Sequence, residues 1–179
     1  MNVWNDTYPW ELLQGWMTPE ESMKWKSKLF KELKWEQPIV KVYGKDYLIP
    51  RKTVFLGEKN IQYRYSGITH QAIGWPLWFY PLLEKVSFTC NCQFNGCLVN
   101  LYRNGNDKMG WHSDDEKELN PLKSIASLSL GSSRDFYFKH RNLGIKHLIS
   151  LNNGDLLVMH SPCQDEWMHS VPSRKRNIF

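Results

Sequence analysis

The spacing of apolar residues predicts helices in the first part of the chain. The apolar residues at four-residue intervals are Trp25, Leu29 and Leu33. This interval is typical of one face of a helix. Thr18 is a suitable N-cap, Pro19 fits the first helical position, and Glu21 completes a capping box. Pro38 prevents any extension of this helix, and a second helix is predicted from about Pro81.

The pattern then changes to one that favours strands. Residues 39–65 are rich in β-branched and aromatic residues, and Val42-Tyr43-Gly44-Lys45-Asp46 is a predicted hairpin tip. Beyond residue 95, short strand candidates are separated by breaks rich in Gly, Asn and Ser. These candidates are residues 96–102, 124–130, 135–140, 145–151 and 155–160. Helices followed by many short strands predict an antiparallel sandwich or jelly roll, with the helices packed on one face.

The composition indicates one folded domain with an anionic partner. The chain has 179 residues, of which 41% are hydrophobic and 23% are charged, so a wholly disordered chain is excluded. No apolar run approaches the roughly 20 residues that span a bilayer. Residues 1–16 are polar and aromatic, and no secretory signal is expected. The net charge of +5 and the aromatic content of 14% favour nucleic acid, because phosphates bind cations and bases stack on flat rings.

The cysteines predict a reducing compartment. They lie at positions 90, 92, 97 and 163. Cys90 and Cys92 are too close in sequence for the usual zinc or redox motif. Because no signal peptide is expected, we interpret all four as reduced, structural thiols.

A candidate metal site contains His112, Asp114 and His169. The first two are two residues apart, so in an extended chain their side chains lie on the same face. His169 follows four strand candidates, which is enough chain to return across a sandwich. Two imidazoles and one carboxylate on one face form the triad of non-haem Fe(II) oxygenases, with positions left open for a cosubstrate and O₂. Two alternatives stay open from spacing alone: a surface hydrogen-bonded pair, and a zinc hydrolase with the same ligands.

Several motifs occur in order and at compatible spacing between residues 39 and 176. In the second half they are Asn100-Leu101-Tyr102, His112-x-Asp114-Asp115-Glu116, residues 125–131, Arg134-Asp135-Phe136-x-Phe138 and residues 167–172. In the first half they are Val42-Tyr43-Gly44-Lys45, Pro50-Arg51-Lys52 and Tyr63-x-Tyr65-Ser66-Gly67. This set resembles the AlkB family of Fe(II)/2-oxoglutarate-dependent dioxygenases, and within it the branch that repairs alkylated DNA.

The resemblance implies a fold and a division of the chain. The expected fold is mainly β, a double-stranded β-helix (jelly roll) with flanking N-terminal helices. We expect a single domain over residues 1–179. Its parts are an N-terminal helical part at 1–38, a nucleotide-recognition part at 39–95 and the jelly-roll core at 96–179. The core is expected to lack its last strand.

The resemblance also assigns roles to individual residues. The iron ligands, which are also the catalytic residues, would be His112, Asp114 and His169. The 2-oxoglutarate contacts would be Asn100 and Tyr102, whose positions two apart in a strand place them on one face. The substrate-binding residues would be Tyr43, Arg51, Tyr65, Ser66, Asp115 and Glu116. Among these, Tyr43 corresponds to an aromatic finger that fills the gap left by an extruded base.

Basic residues are candidates for holding the phosphate backbone. They are Arg51, Lys52, Arg64 and the run Arg174-Lys175-Arg176. The alternative for each of them is an ordinary solvated surface position.

The activity implied is oxidative demethylation of 1-methyladenine and 3-methylcytosine in DNA. The cofactors would be Fe(II) and the cosubstrate 2-oxoglutarate, and the products formaldehyde, succinate and CO₂. The alternative is a catalytically impaired nucleic-acid-binding relative with the same fold. The expected partner is alkylated DNA, with RNA left open, and no membrane. A monomer in the cytoplasm or nucleus is expected.

The sequence departs from the family at its C-terminal end. The family carries two arginines on a last strand, and the first lies about a dozen residues beyond the distal His and pairs with 2-oxoglutarate. The sequence ends at Phe179, short of that position. Arg174 and Arg176 come too early to match. Weaker binding of 2-oxoglutarate is therefore expected, since a bidentate Arg–carboxylate pair is a strong anchor.

Overall fold

The computed structural model of the chain describes residues 8–65, 68–117, 119–120 and 122–174. Its helices are α1 (Pro19–Glu32), α2 (Tyr80–Cys90) and α3 (Cys163–Glu166), and a 3₁₀ turn at Leu77–Phe79 precedes α2. The first strands are β1 (Trp10–Leu13), β2 (Ile39–Val42), β3 (Lys45–Leu48), β4 (Lys52–Gly57), β5 (Gln62–Tyr65) and β6 (Ile68–Gln71). The later strands are β7 (Gly96–Leu101), β8 (Met109–His112), β9 (Ile125–Leu128), β10 (Arg134–His140), β11 (Lys146–Leu151), β12 (Leu156–Met159) and β13 (Trp167–Val171).

Strands β8 to β13, together with β1, form the two sheets of a jelly roll. One sheet has the order β1-β12-β9 and the other the order β11-β10-β13-β8, with antiparallel pairing throughout. β4 pairs with β7, and β2–β3 and β5–β6 are separate hairpins. The expected jelly roll with N-terminal helices is confirmed, and each of the five strand candidates contains a strand.

Helix α1 begins as predicted, but its capping box is incomplete. The Glu21 backbone N–H donates to the Thr18 side chain at 3.2 Å, so Thr18 is the N-cap. The Glu21 carboxylate does not complete the box, because it accepts from Lys85 Nζ on α2 at 2.8 and 2.9 Å. Glu21, which the capping-box motif assigns to the helix cap, therefore links α1 to α2 instead.

The hairpin β2–β3 turns at Tyr43 and Gly44, as the sequence predicts. Both residues have positive φ, +48° and +77° respectively, which is the geometry of a two-residue type I′ turn. Tyr43 is fully exposed, and Ile39, Tyr47 and Leu48 are also exposed. The hairpin thus projects an apolar, aromatic tip into solvent.

Strand β1 lies within residues 1–38, the part expected to be helical. Trp10–Leu13 pairs in register with β12 of the core sheet, and the Trp10 ring stacks on Phe138 at 3.8 Å between centroids. Four residues without alternation carry too little local signal to predict a strand, and only the distant partner β12 selects this conformation. β4 likewise joins the core through β7. The division into three parts stays a prediction, and these two strands pair across its boundaries.

Two apolar clusters hold the layers together. The first lies between the sheets and includes Phe136, Phe138, Leu157 and Trp167. The second lies beneath the helices and contains Met17, Leu29, Leu33, Val54, Leu56, Phe79 and Leu82. Leu29 and Leu33 of the predicted stripe are buried there, and Trp25 packs at the edge. Among the described residues, no helix is long and apolar enough to cross a bilayer.

The four cysteines are free thiols, as predicted. Cys163 is fully buried, whereas the other three are only half-buried, so the expectation of burial holds for one of them. Burial raises the pKa of Cys97 and of Cys163 to about 12. These two side chains are therefore protonated and chemically quiet at neutral pH.

Candidate metal centre

The pairing of β8 with β13 brings the predicted metal ligands together. His112 ends β8 directly opposite His169 on β13, and their ring centroids are 4.2 Å apart. Asp114 follows two residues later, with Oδ1 at 3.7 Å from His112 Nε2 and Oδ2 at 3.5 Å from His169 Nε2. One potential ligand atom from each residue lies within 4.8 Å of the others. The three side chains can therefore share one metal ion.

The two imidazoles are oriented by different means. His112 Nδ1 lies 2.8 Å from the Gly110 carbonyl oxygen, so Nδ1 carries the proton and donates it. The lone pair of His112 Nε2 then faces Asp114, which is the orientation that metal-binding histidines require. The His169 ring is instead stacked on Phe136, with centroids 5.3 Å apart and planes 15° apart. Both rings are held before a metal arrives.

The charges of the cluster also suit a metal. Burial, assisted by the electrostatic effect of His169, lowers the pKa of His112 to about 4, against the opposing effect of Asp114. Burial alone would raise the pKa of Asp114, but the hydrogen bond and electrostatic effect of His169 outweigh it and lower this pKa. At neutral pH, His112 is neutral and Asp114 is ionised. These are the protonation states in which such side chains bind cations.

Three side chains tie down the segment that carries Asp114. Ser113 Oγ donates to the Trp167 carbonyl oxygen at 2.7 Å, and the Asp114 N–H donates to Gln164 Oε1 at 2.9 Å. Arg141 Nη2 donates to Ser113 Oγ at 2.8 Å and to Asp115 Oδ2 at 2.7 Å. Sequence reasoning missed Gln164 and Arg141, because neither stands in a motif and both act through contacts across the fold.

The two predicted cosubstrate residues lie beside buried or stacked arginines. Asn100 near the end of β7 accepts a hydrogen bond at Oδ1 from Arg51 Nε at 2.8 Å. Tyr102 follows β7, and the guanidinium of Arg134 lies over its ring at 5.2 Å from the centroid. Arg134 is itself held by donating from Nη2 to the carbonyl oxygens of Asp107 and Pro172, both at 2.8 Å. Amide, phenol and guanidinium groups can all bind a carboxylate.

Arg51, a candidate for substrate and phosphate binding, is buried, and its role stays a prediction. Its relative exposure is 5%, and its side chain points to Asn100 in the interior. Arg51 lies two residues before Thr53, which is 2% exposed at the start of β4, so the strand period places both on the inner face. Basic composition alone does not show which face of a strand a residue occupies.

The other phosphate candidates differ in exposure. Arg64 on β5 is exposed. Arg174 is half-buried and donates from Nη1 to the Ser133 carbonyl oxygen at 3.0 Å, so it is partly committed to structure. Lys175 and Arg176 lie outside the described residues.

The predicted base-recognition residues fall into separate surroundings. Asp115 is exposed and paired with Arg141. Glu116 is half-buried, and its Oε2 accepts a hydrogen bond from the Tyr63 hydroxyl at 2.9 Å. Burial raises the pKa of Glu116. Tyr63 was present in a motif but received no role, and its contact with Glu116 became visible only in the fold. Tyr65 ends β5, and Ser66 lies outside the described residues.

Comparison with known proteins decides the family. Residues 10–178 match the sequence profile of the 2OG-Fe(II) oxygenase superfamily, in which 2OG stands for 2-oxoglutarate. The chain belongs to this superfamily. Within this superfamily, the AlkB resemblance is confirmed by curated relatives. DNA oxidative demethylase ALKBH2 of Mus musculus is 38% identical over 168 residues, which are 83% of this chain and 69% of the mouse protein.

Two further relatives support the AlkB family. DNA oxidative demethylase ALKBH2 of Bos taurus is 37% identical over 145 residues, 76% of this chain and 52% of the bovine protein. Alpha-ketoglutarate-dependent dioxygenase alkB homolog 3 of Homo sapiens is 37% identical over 139 residues, 70% of this chain and 47% of the human protein. The chain thus spans only about half the length of these two relatives.

A solved structure supports the 2OG-Fe(II) oxygenase fold. The chain superposes on "The structure of OsALKBH1" with a TM-score of 0.64 and 16% sequence identity, over 95% of this chain and 86% of that one. The superfamily binds Fe(II) and 2-oxoglutarate. The ligand set of this chain fits Fe(II), because two imidazole nitrogens and one carboxylate converge within 4.8 Å.

Proposed function

We propose that this protein uses Fe(II), O₂ and 2-oxoglutarate to demethylate N-alkylated bases in DNA, with 1-methyladenine and 3-methylcytosine as substrates. The observation that carries the proposal is the convergence of His112, Asp114 and His169 on one potential metal site. The relatives named as DNA oxidative demethylases support the choice of substrate. A DNA substrate places the protein in the cytoplasm or nucleus.

The residues of the chain would bind and orient both reactants. His112, Asp114 and His169 would hold Fe(II), and Asn100 and Tyr102 would hold 2-oxoglutarate. Bound Fe(II) with this cosubstrate supplies the oxygen-activating chemistry that hydroxylates the N-methyl group. The hydroxymethyl base then loses formaldehyde, which leaves the unmodified base.

Two acidic groups near the metal would recognise the base. Asp115 and Glu116 follow the ligand Asp114 directly, so a base presented to the metal meets them. A carboxylate can accept from an exocyclic amine and stabilise the cationic form of a methylated base. Tyr63 donates to Glu116 Oε2 at 2.9 Å, which fixes the direction of that carboxylate. Recognition would thus distinguish cationic, amine-bearing lesions from neutral bases.

The exposed hairpin tip would act on the nucleic acid itself. Tyr43 is fully exposed on a turn that its own positive φ of +48° makes tight. A ring in that position can stack on the bases left behind when one is extruded, and this stacking offsets part of the few kcal/mol that extrusion costs. Exposed Arg64 would contact phosphate.

The central test is co-product formation. Wild-type protein with Fe(II) and 2-oxoglutarate should release succinate and formaldehyde with a 3-methylcytosine oligonucleotide. His112→Ala and Asp114→Ala should release neither, because each removes one metal ligand. Asp165→Ala is the matched control, since it removes an exposed carboxylate on α3 and should keep wild-type rates. Oligonucleotide binding by wild type without either product would indicate the catalytically impaired relative instead.

The hairpin can be tested without disturbing its fold. Tyr43→Asn should keep the turn, because Asn tolerates positive φ better than Tyr does. It should lower turnover on a lesion in duplex DNA several-fold and change turnover on single strands little, since only the duplex leaves a gap to fill. Tyr43→Phe keeps the ring and should behave as wild type. Equal losses on both substrates would contradict a stacking role.

A further inference from the structure

A small cavity lies between the β1–β12 strand pair and the C-terminal end of α2. Its volume is about 150 Å³, and its walls include Glu11 and Leu13 of β1, Val158 and His160 at the end of β12, and residues 89–91 of α2. Glu11 and Val158 are directly opposite in the pairing, so these strand residues share one face of the pair. No residue of the metal cluster lines this cavity, and it is therefore a separate site.

Glu11 is the one lining residue that is charged at neutral pH. Burial lowers the pKa of His160, against the opposing effect of Glu11, so the imidazole is neutral. Burial, assisted by Cys92 and Glu11, raises the pKa of Cys90 to about 11, so its thiol is protonated. Within the part of the chain that the structure describes, the Glu11 carboxylate has no hydrogen bond or ion pair. The cavity thus contains a carboxylate without a cation.

The end of α2 adds negative potential to the cavity. This helix has 11 residues, and its C-cap is Asn91 in the left-handed conformation at φ +45°. Aligned peptide dipoles give a helix C-terminus about half a negative charge, and no basic side chain occupies the last turn of α2. Trp16 Nε1 donates to Thr89 Oγ1 at 3.0 Å, which holds this helix end in place. A carboxylate and a helix C-terminus on one cavity favour a cation.

The size of the cavity favours an organic cation over a metal ion. Glu11, Cys90 and His160 carry atoms that can bind metals, but they are not close enough to share one ion. Among the described residues, only the metal cluster has three such ligand atoms within 4.8 Å of one another. A cavity of about 150 Å³ has the volume of about five water molecules. It can therefore hold a ligand of about five non-hydrogen atoms.

We propose that this cavity binds a primary alkylammonium ion, with the ammonium group on the Glu11 carboxylate and the alkyl chain against Leu13 and Val158. An ammonium group has only donors and a carboxylate only acceptors, and hydrogen bonds between ionised partners are about twice as strong as neutral ones. The end of α2 stabilises the same positive charge. This site goes beyond the proposed demethylation and does not depend on it.

The test is an NMR titration of the isotope-labelled protein with n-butylammonium at pH 7. Wild type should show saturable shifts of the backbone amide signals of residues 89–91. Glu11→Gln keeps the shape of the side chain and should weaken binding about tenfold or more, because the ammonium group loses its ionised partner. Glu84→Gln removes an exposed carboxylate elsewhere on α2 and should stay within about twofold of wild type.

A neutral ligand of the same size tests the role of charge without a variant. n-Butanol should bind wild type about tenfold more weakly than n-butylammonium, since it cannot form an ion pair. Equal affinities would show an apolar cavity and overturn the proposal, as would the absence of saturable binding or an unchanged affinity in Glu11→Gln. This comparison decides the question even if Glu11→Gln does not fold. A thiolate-to-metal absorption band with Co(II), lost in Cys90→Ser, would assign the cavity to a metal and overturn the proposal as well.

The same titration identifies the source of the alkylammonium. n-Butylammonium represents a free amine, and Nα-acetyl-lysine amide presents the same group as the lysine side chain of another protein. Binding of either probe that is weakened in Glu11→Gln supports the site. The tighter of the two probes shows whether the natural ligand is a free amine or a lysine of a partner.

Discussion

Arg141 connects the turn after β10 to the segment that carries Asp114. Its Nη2 donates to Ser113 Oγ and Asp115 Oδ2, the residues on either side of the metal ligand. Such supporting contacts restrict the carboxylate to the direction that a metal requires. Partners that orient ligands typically change metal affinity by 10–100-fold when they are removed.

We expect Arg141→Gln to weaken metal binding by about tenfold, the low end of that range, because Arg141 acts through the neighbours of Asp114. The measurement is a titration of the metal-free protein with Mn(II). Arg64→Gln removes an exposed arginine on β5 and should leave Mn(II) affinity unchanged. Identical Mn(II) affinities for wild type and Arg141→Gln would show that the segment holds its shape without this contact.

Single residues were predictable where local spacing determines their role. His112 and Asp114 stand out because two positions apart in extended chain means one face. The residues that hydrogen-bond to the ligand segment follow no such spacing. Gln164, for example, accepts from the backbone N–H of Asp114, which lies 50 residues earlier in the sequence. The burial of Arg51 was not predictable for the same reason, since basic composition does not distinguish an inner from an outer strand face.

At the level of elements, the N-cap of α1 is the clearest local device. We expect Thr18→Ala to lower the free energy of unfolding by about 1 kcal/mol, because the Glu21 N–H loses its acceptor at the helix start. Thr18→Ser keeps the oxygen and should be nearly neutral. Urea unfolding of the three proteins measures the difference. A loss in the serine variant equal to that in the alanine variant would assign the effect to the threonine methyl group instead.

The loop between β7 and β8 is fixed by an internal ion pair. Asp107 is 4% exposed and accepts from Arg103 at its backbone N–H, Nε and Nη2, all at 2.8 Å. The hydrogen bond from the Arg103 side chain is the main reason why the pKa of Asp107 is lowered, against the opposing effect of burial. The folded protein therefore stabilises the ionised form of the Asp107 carboxyl group more than the unfolded chain does.

This shift predicts how stability depends on pH. The pKa of Asp107 in the folded protein lies below the unfolded value of about 3.9. Ionised Asp107 therefore contributes fully to the free energy of unfolding above that value, and this contribution is lost as the pH falls through the folded pKa. Asp107→Asn should have a lower free energy of unfolding than wild type at pH 7, and this difference should shrink between about pH 5 and pH 2. Denaturant unfolding across that range measures it. A gap that stays constant with pH would mean that packing, not charge, holds the loop.

Helices and strands that have a clear pattern in their own sequence were predictable. Those that form only because they pair with a segment far away in the sequence were not. The hairpin β2–β3 follows from Gly44 between β-rich segments, and α1 follows from its cap and stripe. β1 and α3 have four residues each, which is too short for a period to show. β1 forms because it pairs with β12 and because its Trp10 ring stacks on Phe138. Its position depends on the assembled sheet, which local sequence does not describe.

For the whole molecule, the proposal makes the two ligands respond differently to salt. DNA phosphates would meet exposed cations on a chain with a net charge of +5, and this binding releases counterions. 2-Oxoglutarate would bind beside Asn100 and Tyr102, which are partly buried, and charges there are screened much less. Increasing salt should therefore affect the oligonucleotide far more than the cosubstrate.

We expect the logarithm of oligonucleotide affinity to fall linearly with the logarithm of salt concentration. Three to five phosphate contacts on a single strand would give a slope of roughly −2 to −4. 2-Oxoglutarate affinity with Mn(II), measured over the same 50–300 mM range, should change by less than about threefold. A flat oligonucleotide response would contradict phosphate binding and with it the DNA substrate. A steep response for 2-oxoglutarate would place its carboxylates in solvent, away from Asn100 and Tyr102.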